Sequence, residues 1–546
     1  MKKNIITLLI ACTTLFSCSS LDNLLDENTN KPNETQNQGN NNSNTDNTNN
    51  QDSSTKDDSL DTPSGDKDNP SDNEPSNPDS PTEPDTPPTE PDEPSTPATP
   101  QEPDIPTTDD EVEVTGIKLV NEEINIYLNH THKLVYELLP VNTTQEKVFF
   151  TSDIPHIASV DTSGVISALK IGSTLIRAIT DNGYFAYCKV NVIDNPNFRF
   201  NKPCVDLYIG ENIVNATGIS NTTYSSENSS IASVDSSGKI VANSVGVTYI
   251  KAVNGNDISY CDVRVLERNH SNFVFNDIDS TTCEITGYAS TVSFNGILSV
   301  PYADLNNKKV VKIANSSLSS YKLETASGNK KVNNIILPNS IMELGDSAFG
   351  SLIGYYNTTF YCPYYLKKIG GFAFANDYFS QIKLNNNLEE IGTRAFINWH
   401  NHQILDIPSK VVLKLNCFHD NYGSVGKNGL TKVYIQEGAK ADGNNIFEAA
   451  RELDYINIPT SFTKIPSLML QYASGLDHIV VPSTCNEIAQ LNFSSDSTFK
   501  ILLESDVLKE NYSDSNTVNQ YYLYSAKAPT SSGNYWHYVS GVPTIW

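Results

Sequence analysis

The sequence predicts a mainly β, multidomain chain in which two small β-sandwiches are followed by a solenoid of short repeats with short helical or 3-10 segments. Three observations carry that reading. Everything able to fold lies after residue 112, because residues 19–112 contain no Phe, Tyr or Trp. A block of about 75 residues then occurs twice. Beyond it the chain adopts a period in the low to mid twenties, with one alternating apolar segment per unit.

The first 18 residues set the membrane expectation. Lys2 and Lys3 form a positive start, Ile5 to Phe16 an apolar stretch too short to span a bilayer, and the segment ends in Leu15-Phe16-Ser17-Cys18. That ending resembles the lipobox of bacterial lipoproteins. The resemblance implies that residues 1–18 are a lipoprotein signal peptide, and that lipidation of Cys18 by a thioether-linked diacylglycerol makes it the mature N-terminus. At least two acyl chains are what stable anchoring requires. An ordinary cleaved signal with a chance Cys is the plainer alternative. No later run approaches 18 apolar residues, so the membrane is expected to be reached through the N-terminal lipid alone.

Residues 19–112 are expected to be a disordered linker. They hold 15 of the 28 prolines among long tracts of Asn, Ser, Thr, Asp and Glu, too little apolar area to offset the entropy of ordering. Between Asp22 and Val112, 24 Asp plus Glu face three Lys, a net of −21 out of −27 for the whole chain. Setting aside Lys2 and Lys3, the rest carries about −8, which argues against nucleic-acid binding through a basic face.

After the linker, Ile157-Ala-Ser-Val-Asp-Thr-Ser-Gly-Val-Ile-Ser-Ala168 returns 74 residues later as Ile231-Ala-Ser-Val-Asp-Ser-Ser-Gly-Lys-Ile-Val-Ala242. Gly172, Thr174, Ile176 and Ala178 keep that offset in Gly246, Thr248, Ile250 and Ala252. Alternation on both sides of a polar Asp-x-Ser-Gly is a hairpin signal, and the surrounding short strands make each copy a small all-β sandwich. The pattern resembles the bacterial immunoglobulin-like domains of group 2, placing Ig-like domains at 113–194 and 195–267. The second copy is shorter at its start.

From residue 271 the segments Ile335-Ile-Leu-Pro338, Phe360-Tyr-Cys-Pro363, Ile382-Lys-Leu-Asn385, Leu405-Asp-Ile-Pro408, Val433-Tyr-Ile-Gln436, Ile456-Asn-Ile-Pro459 and Ile479-Val-Val-Pro482 follow one another at steps of 22 to 28 residues. Each leads into a turn and an expected short helical or 3-10 stretch ending in an aromatic, as in Ile341-x-x-Leu344-Gly345-Asp-Ser-Ala-Phe349. Such a period with one strand per unit is that of a leucine-rich-repeat solenoid. The motif resembles the BspA-like leucine-rich repeats of bacterial surface proteins over residues 271–510, and the aromatic tail 511–546 resembles a C-terminal hairpin that closes the open end.

The strand pleat selects candidate residues. If the flanking Ile and Leu point into the core, the middle residue and the one two before it point out. This gives an expected ligand-binding face carrying Tyr361, Lys383, Asp406, Tyr434, Tyr455 and His478. A surface mixing Tyr with isolated charges suits protein or glycan recognition; the plain alternative is a solvated sheet with β-favouring aromatics. Two His-x-His pairs, His130 with His132 and His400 with His402, have no carboxylate pair beside them to complete a metal site. Asp161 and Asp235 cap turns and lack the ligand density of a calcium loop. Seven cysteines remain after Cys12 and Cys18. Cys204 and Cys261 are close enough in sequence for a bridge within one small domain, and others read as core fillers.

No G-x-S-x-G, H-E-x-x-H, Walker loop or G-x-G-x-x-G occurs. A glycoside hydrolase drawing paired acids from distant positions has no local motif, yet stacked repeats rarely build such a cleft. No enzyme, no metal and no cofactor are expected. Two functions stay in view. One is an adhesin or host-interaction protein at the bacterial cell surface, lipid-anchored to the cell membrane or outer membrane, expected to be a monomer with an extracellular protein or glycan as its partner. The other is a passive structural component of the envelope. The tether bears on the choice: Pro63 to Pro106 extends ~130 Å at ~3.1 Å per residue, a reach that a structural plug does not need.

Overall fold

The computed structural model describes residues 111–144, 147–328, 331–353, 358–398, 404–419, 429–489, 499–505 and 520–546. The signal segment with Cys18, the linker up to residue 110, and His400 and His402 lie outside these. The mainly β class holds, with a single α-helix, Ser320–Ser327, among the described residues.

The repeated block forms the same sandwich twice. In the first, Glu123–Tyr127, Phe185–Ile193, Gly172–Thr180 and Val148–Ser152 make a four-stranded sheet facing the triplet Thr131–Lys133, Val165–Ala168 and Ala158–Val160. In the second, Cys204–Tyr208, Asp257–Leu266, Gly246–Asn254 and Thr223–Ser226 face Asn212–Val214, Lys239–Ala242 and Ala232–Val234. The opening pair Gly116–Leu119 with Tyr136–Leu139 occurs only in the first copy. Equivalent residues fill both cores: Ala158 and Ala232, Ile166 and Ile240, Ile176 and Ile250 are all fully buried.

The Asp-x-Ser-Gly turns follow the chemistry read from them. Asp161 Oδ1 accepts the backbone N–H groups of Ser163 (2.8 Å) and Val165 (2.9 Å), and Asp235 repeats this with Ser237 (2.8 Å) and Lys239 (3.0 Å). Gly164 and Gly238 sit at φ 81° and 79°, in the left-handed region that side chains disfavour.

Each repeat of the solenoid contributes to three stacked ladders. The Ile-x-Ile strands pair in parallel, as in Ile404–Ile407 with Lys432–Ile435 and Tyr455–Ile456. Where a helical or 3-10 stretch was expected after the turn, the chain instead forms a two-residue strand. Glu343–Leu344, Lys368–Ile369, Glu390–Ile391, Val412–Leu413 and Lys440–Ala441 join three opening strands in an eight-stranded sheet. Spacing of apolar residues by three, as in Leu388-x-x-Ile391, mimics a helix, but lateral hydrogen bonds to the neighbouring coil win. Outward residues of this sheet pair by charge across strands, with Lys312 to Glu343 at 3.4 Å and Lys368 to Glu390 at 3.3 Å.

The third ladder runs through non-glycine residues held at positive φ: Ser347, Phe372, Arg394, Asn416, Asn445 and Leu468 lie between 54° and 57°. Coil-to-coil hydrogen bonds support this strained backbone, among them Phe374 N to Ala395 O (2.8 Å) and Phe396 N to Cys417 O (2.9 Å). Inside them Phe349, Phe374, Phe396, Phe418 and Phe447 form a stack, with centroids 5.3 to 5.6 Å apart and ring planes within 13°. Gly370 and Gly392 are required by closeness. A Cβ on Gly370 would lie 2.6 Å from the Gly345 carbonyl carbon, and one on Gly392 would lie 2.7 Å from that of Gly370.

The later, less regular repeats keep the pattern where they are described: Lys464–Ile465 pairs in parallel with Glu487–Ile488. In the tail, Gln520–Tyr524 adds one more parallel strand, and the antiparallel hairpin is made by Tyr535–Val539 with Val542–Ile545. The seven cysteines among the described residues are all free. Register explains why Cys204 and Cys261 are not bridged: Cys204 sits opposite Asp262 in the parallel pair, so Cys261 points to the other face of the sheet. There its Sγ accepts a hydrogen bond from Asn215 Nδ2 (3.2 Å).

Candidate functional site

The outward face of the Ile-x-Ile ladder has the predicted register but not the predicted exposure. Leu405, Ile407, Val433 and Ile435 are fully buried in the solenoid core, and Asp406 and Tyr434 between them point outward. The two sandwiches fold back over that face, so the expectation of an open ligand-binding face is corrected. The second sandwich sits on the first coils and the first sandwich on the last ones.

Apart from Lys383, the residues singled out from sequence therefore meet other parts of the chain itself. Tyr361 lies 6.4 Å from Tyr249, ring to ring. Asp406 accepts hydrogen bonds from His156 Nε2 (2.8 Å) and Lys170 Nζ (2.6 Å). Burial pushes its carboxyl upward, but His156 and Lys170 outweigh this and bring it to about 2. Tyr434 packs against His156 with ring centroids 4.8 Å apart and touches the core of the first sandwich. Tyr455 donates its hydroxyl to Asp153 O (3.0 Å). His478 lines a smaller crevice with Asp153 and Arg177.

Two buried arginines carry the joints, and the sequence reading passed over both. Arg264 is fully buried. Its Nε and Nη2 pair with the two carboxylate oxygens of Asp262 at 3.1 Å each. Its remaining donors reach the carbonyls of Leu337 (3.0 Å), Tyr361 (2.9 Å) and Cys362 (2.8 Å), so one planar guanidinium closes the ends of two solenoid strands. Beside it Asp206 Oδ1 accepts Asn339 N–H (2.8 Å), and burial pushes the Asp206 carboxyl up to about 7. In the other joint Arg177 pairs with Asp153 and lies 3.6 Å from Glu504, which accepts hydrogen bonds from the hydroxyls of Tyr187 (2.6 Å) and Tyr538 (3.3 Å). Around this cluster Ile179, Leu502, Tyr522, Trp536 and Tyr538 form an apolar patch shared by sandwich and solenoid.

Between the two joints the cover is incomplete. A cleft of about 610 Å³ opens where both sandwiches meet the middle coils, within the ~300–1,000 Å³ typical of small-ligand sites. Lys383, Asn386, Asp406 and Lys410 form its solenoid side, Lys170 and Asn191 come from the first sandwich, and Tyr249 and Tyr260 from the second. Among the described residues the Lys383 ammonium has no side-chain hydrogen bond or ion pair, although its backbone carbonyl accepts Cys362 N–H (3.0 Å). Burial, and then the like charge of Lys170, pull its ammonium below the ordinary lysine range. Of the residues read from sequence, the structure brings Lys383 and Asp406 to this cleft and distributes the others along the joints. No group of three His, Cys, Asp or Glu among the described residues is placed to hold a metal ion.

Comparison with known proteins agrees with this architecture. Residues 302–424 and 425–513 match the BspA type leucine rich repeat region family in six copies, and residues 113–190 match the bacterial Ig-like domain family of group 2. Residues 302–513 thus carry BspA-type repeats and residues 113–190 a group 2 Ig-like domain, whose strand arrangement the second sandwich repeats. An uncharacterized protein of Clostridium acetobutylicum is 29% identical over 154 residues, 26% of this chain and 16% of that protein. An A type blood N-acetyl-alpha-D-galactosamine deacetylase of Flavonifractor plautii is 31% identical over 90 residues, 16% of this chain and 12% of the enzyme. The chain therefore spans less than a fifth of either relative. A leucine-rich repeat protein from Bacteroides ovatus, 18% identical, overlaps 46% of this chain and 69% of its own, with a TM-score of 0.32.

Proposed function

We propose that the protein is a non-enzymatic, lipid-anchored binding protein of the bacterial cell surface, held out on its acidic tether as a monomer and taking an extracellular ligand in the cleft between the Ig-like modules and the repeats. The observation that carries this reading is the cleft itself. Elsewhere the solenoid face is covered by matched side chains apart from the smaller crevice at His478, whereas the middle coils are left open over a cleft lined with amides, tyrosines and lysines. BspA-type repeats and a group 2 Ig-like domain support a surface protein with a binding role. Anchoring rests on Cys18, and of the ladder residues Lys383 and Asp406 are the ones assigned to ligand contact.

Two measurements test the reading. Detergent-phase partitioning of the full chain should be lost in Cys18→Ala; unchanged partitioning removes the anchor. A screen of the full chain against extracellular-matrix proteins and glycans should return a ligand whose binding is blocked by Lys410→Trp at the cleft rim. The coverage of the tyrosine face favours the second reading, a passive envelope component, and a screen without any ligand would decide for it.

A further inference from the structure

We infer that the cleft takes an acidic oligosaccharide, with its carboxylate or sulfate group on Lys383 and its sugar rings against the tyrosines. This rests on the reading of the cleft as the binding site and adds the chemistry of the ligand.

The charge on the cleft floor is the first argument. Three lysines line the cleft, but Asp406, the nearest solenoid carboxylate, is already held by Lys170 and His156. Asp262, at the far wall, is committed to Arg264 on both oxygens. Asp194, the third carboxylate of the lining, has Arg199 as its nearby cation, and Lys383, beside the like charge of Lys170, is left to share Asp406, which Lys170 and His156 already hold. An anionic group on the ligand would complete this arrangement, and a neutral one would leave it uncompensated.

The second argument is the rest of the lining. Tyr249, Tyr260 and Tyr364 present rings with polar tips, and Asn386 presents an amide. A pyranose ring has the matching surface: apolar C–H faces that stack on aromatics, and a rim of hydroxyls that pair with amides. Tyr supplies such contact at small entropic cost. A fully apolar ligand would strand the amides and lysines, since a buried polar group without a partner is costly.

Isothermal titration of the full chain tests this with hexagalacturonate and a heparin hexasaccharide as acidic sugars, maltohexaose as a neutral one, and hexaglutamate as an acidic peptide. At least one acidic sugar should bind, maltohexaose at least tenfold more weakly, and Lys383→Gln should weaken the acidic sugar at least tenfold without moving the melting temperature. Tyr260→Ala, at a half-exposed ring, should weaken binding of the acidic sugar by a similar factor. The inference is overturned if neither acidic sugar binds, if hexaglutamate binds as tightly, or if Lys383→Gln binds unchanged. A ligand found by the screen and blocked by Lys410→Trp, together with silence from both acidic sugars, would sink this inference while leaving the binding reading intact.

Discussion

Replacing Arg264 with Met is the sharpest test of how the repeats and the second sandwich are held together. Met keeps much of the length of the buried stem and removes every donor. Asp262 then keeps one neutral partner, Asn339 Nδ2 at 3.2 Å, and loses its counter-charge. The carbonyls of Leu337, Tyr361 and Cys362 lose their Arg264 bonds in a joint from which the side chain was fully hidden. Breaking one partner of a buried ion pair costs about 3–5 kcal/mol, because the remaining charge stays desolvated, and each stranded carbonyl adds to the same penalty. The expected loss is therefore about 4 kcal/mol at pH 7, read from urea unfolding followed by circular dichroism. Amide exchange should speed up in Cys204–Tyr208 and around Leu337 and Tyr361. Adding Asp262→Leu should restore part of the loss, since the orphaned charge is then gone. A loss below about 1 kcal/mol, or exchange unchanged on the solenoid side, would refute the view that this guanidinium fastens the joint.

Acid should loosen the contact of the first sandwich with the middle coils, where Asp406 holds His156 and Lys170, between about pH 4 and pH 2. Asp406 is held below its ordinary carboxylate value in the folded state, so its stabilising contribution is complete above about pH 4 and is lost as pH falls to about 2. This is worth about 2 kcal/mol, and Asp406→Asn should flatten that part of the stability curve. Asp206 works with the opposite sign. With its carboxyl pushed up to about 7, its contribution is lost as pH rises from about 4 through 7, so Asp206→Asn should raise the melting temperature at pH 8 more than at pH 5. Gly370→Ala should cost about 1–3 kcal/mol, measured by thermal melting, because the added Cβ meets the Gly345 backbone at 2.6 Å.

The repeat register was legible because alternation and spacing recur seven times, and each Ile-x-Ile triplet lands as read. The second ladder was not, because Leu-x-x-Ile satisfies a helical spacing as well as a turn followed by a two-residue strand; only the neighbouring coil decides. The cover over the tyrosine face left no distinct mark in the sequence. An outward Tyr434 or Tyr455 has the same composition whether a ligand, solvent or another part of the chain lies against it. Asp262-Val-Arg-Val265 did hold a readable signal: alternation puts Val263 and Val265 in the sandwich core, so Asp262 and Arg264 must share the outer face as a ready-made pair. The turns at Asp161 and Asp235 were fully legible because their chemistry is local.

Repeat solenoids ordinarily behave as linear arrays, each coil held only by its neighbours and each end free to fray. Here the Ig-like arm grips Leu337 and Tyr361 at one end and Tyr524 and Trp536 at the other, and Glu113 reaches Lys527 at 3.1 Å. The array is thereby closed into a non-covalent ring. Loss of a terminal coil then requires the arm to detach as well, so unfolding is expected as one cooperative event and not as unzipping from either end. Tension arriving through residue 113 would enter beside the final coils and be shared across the whole ring.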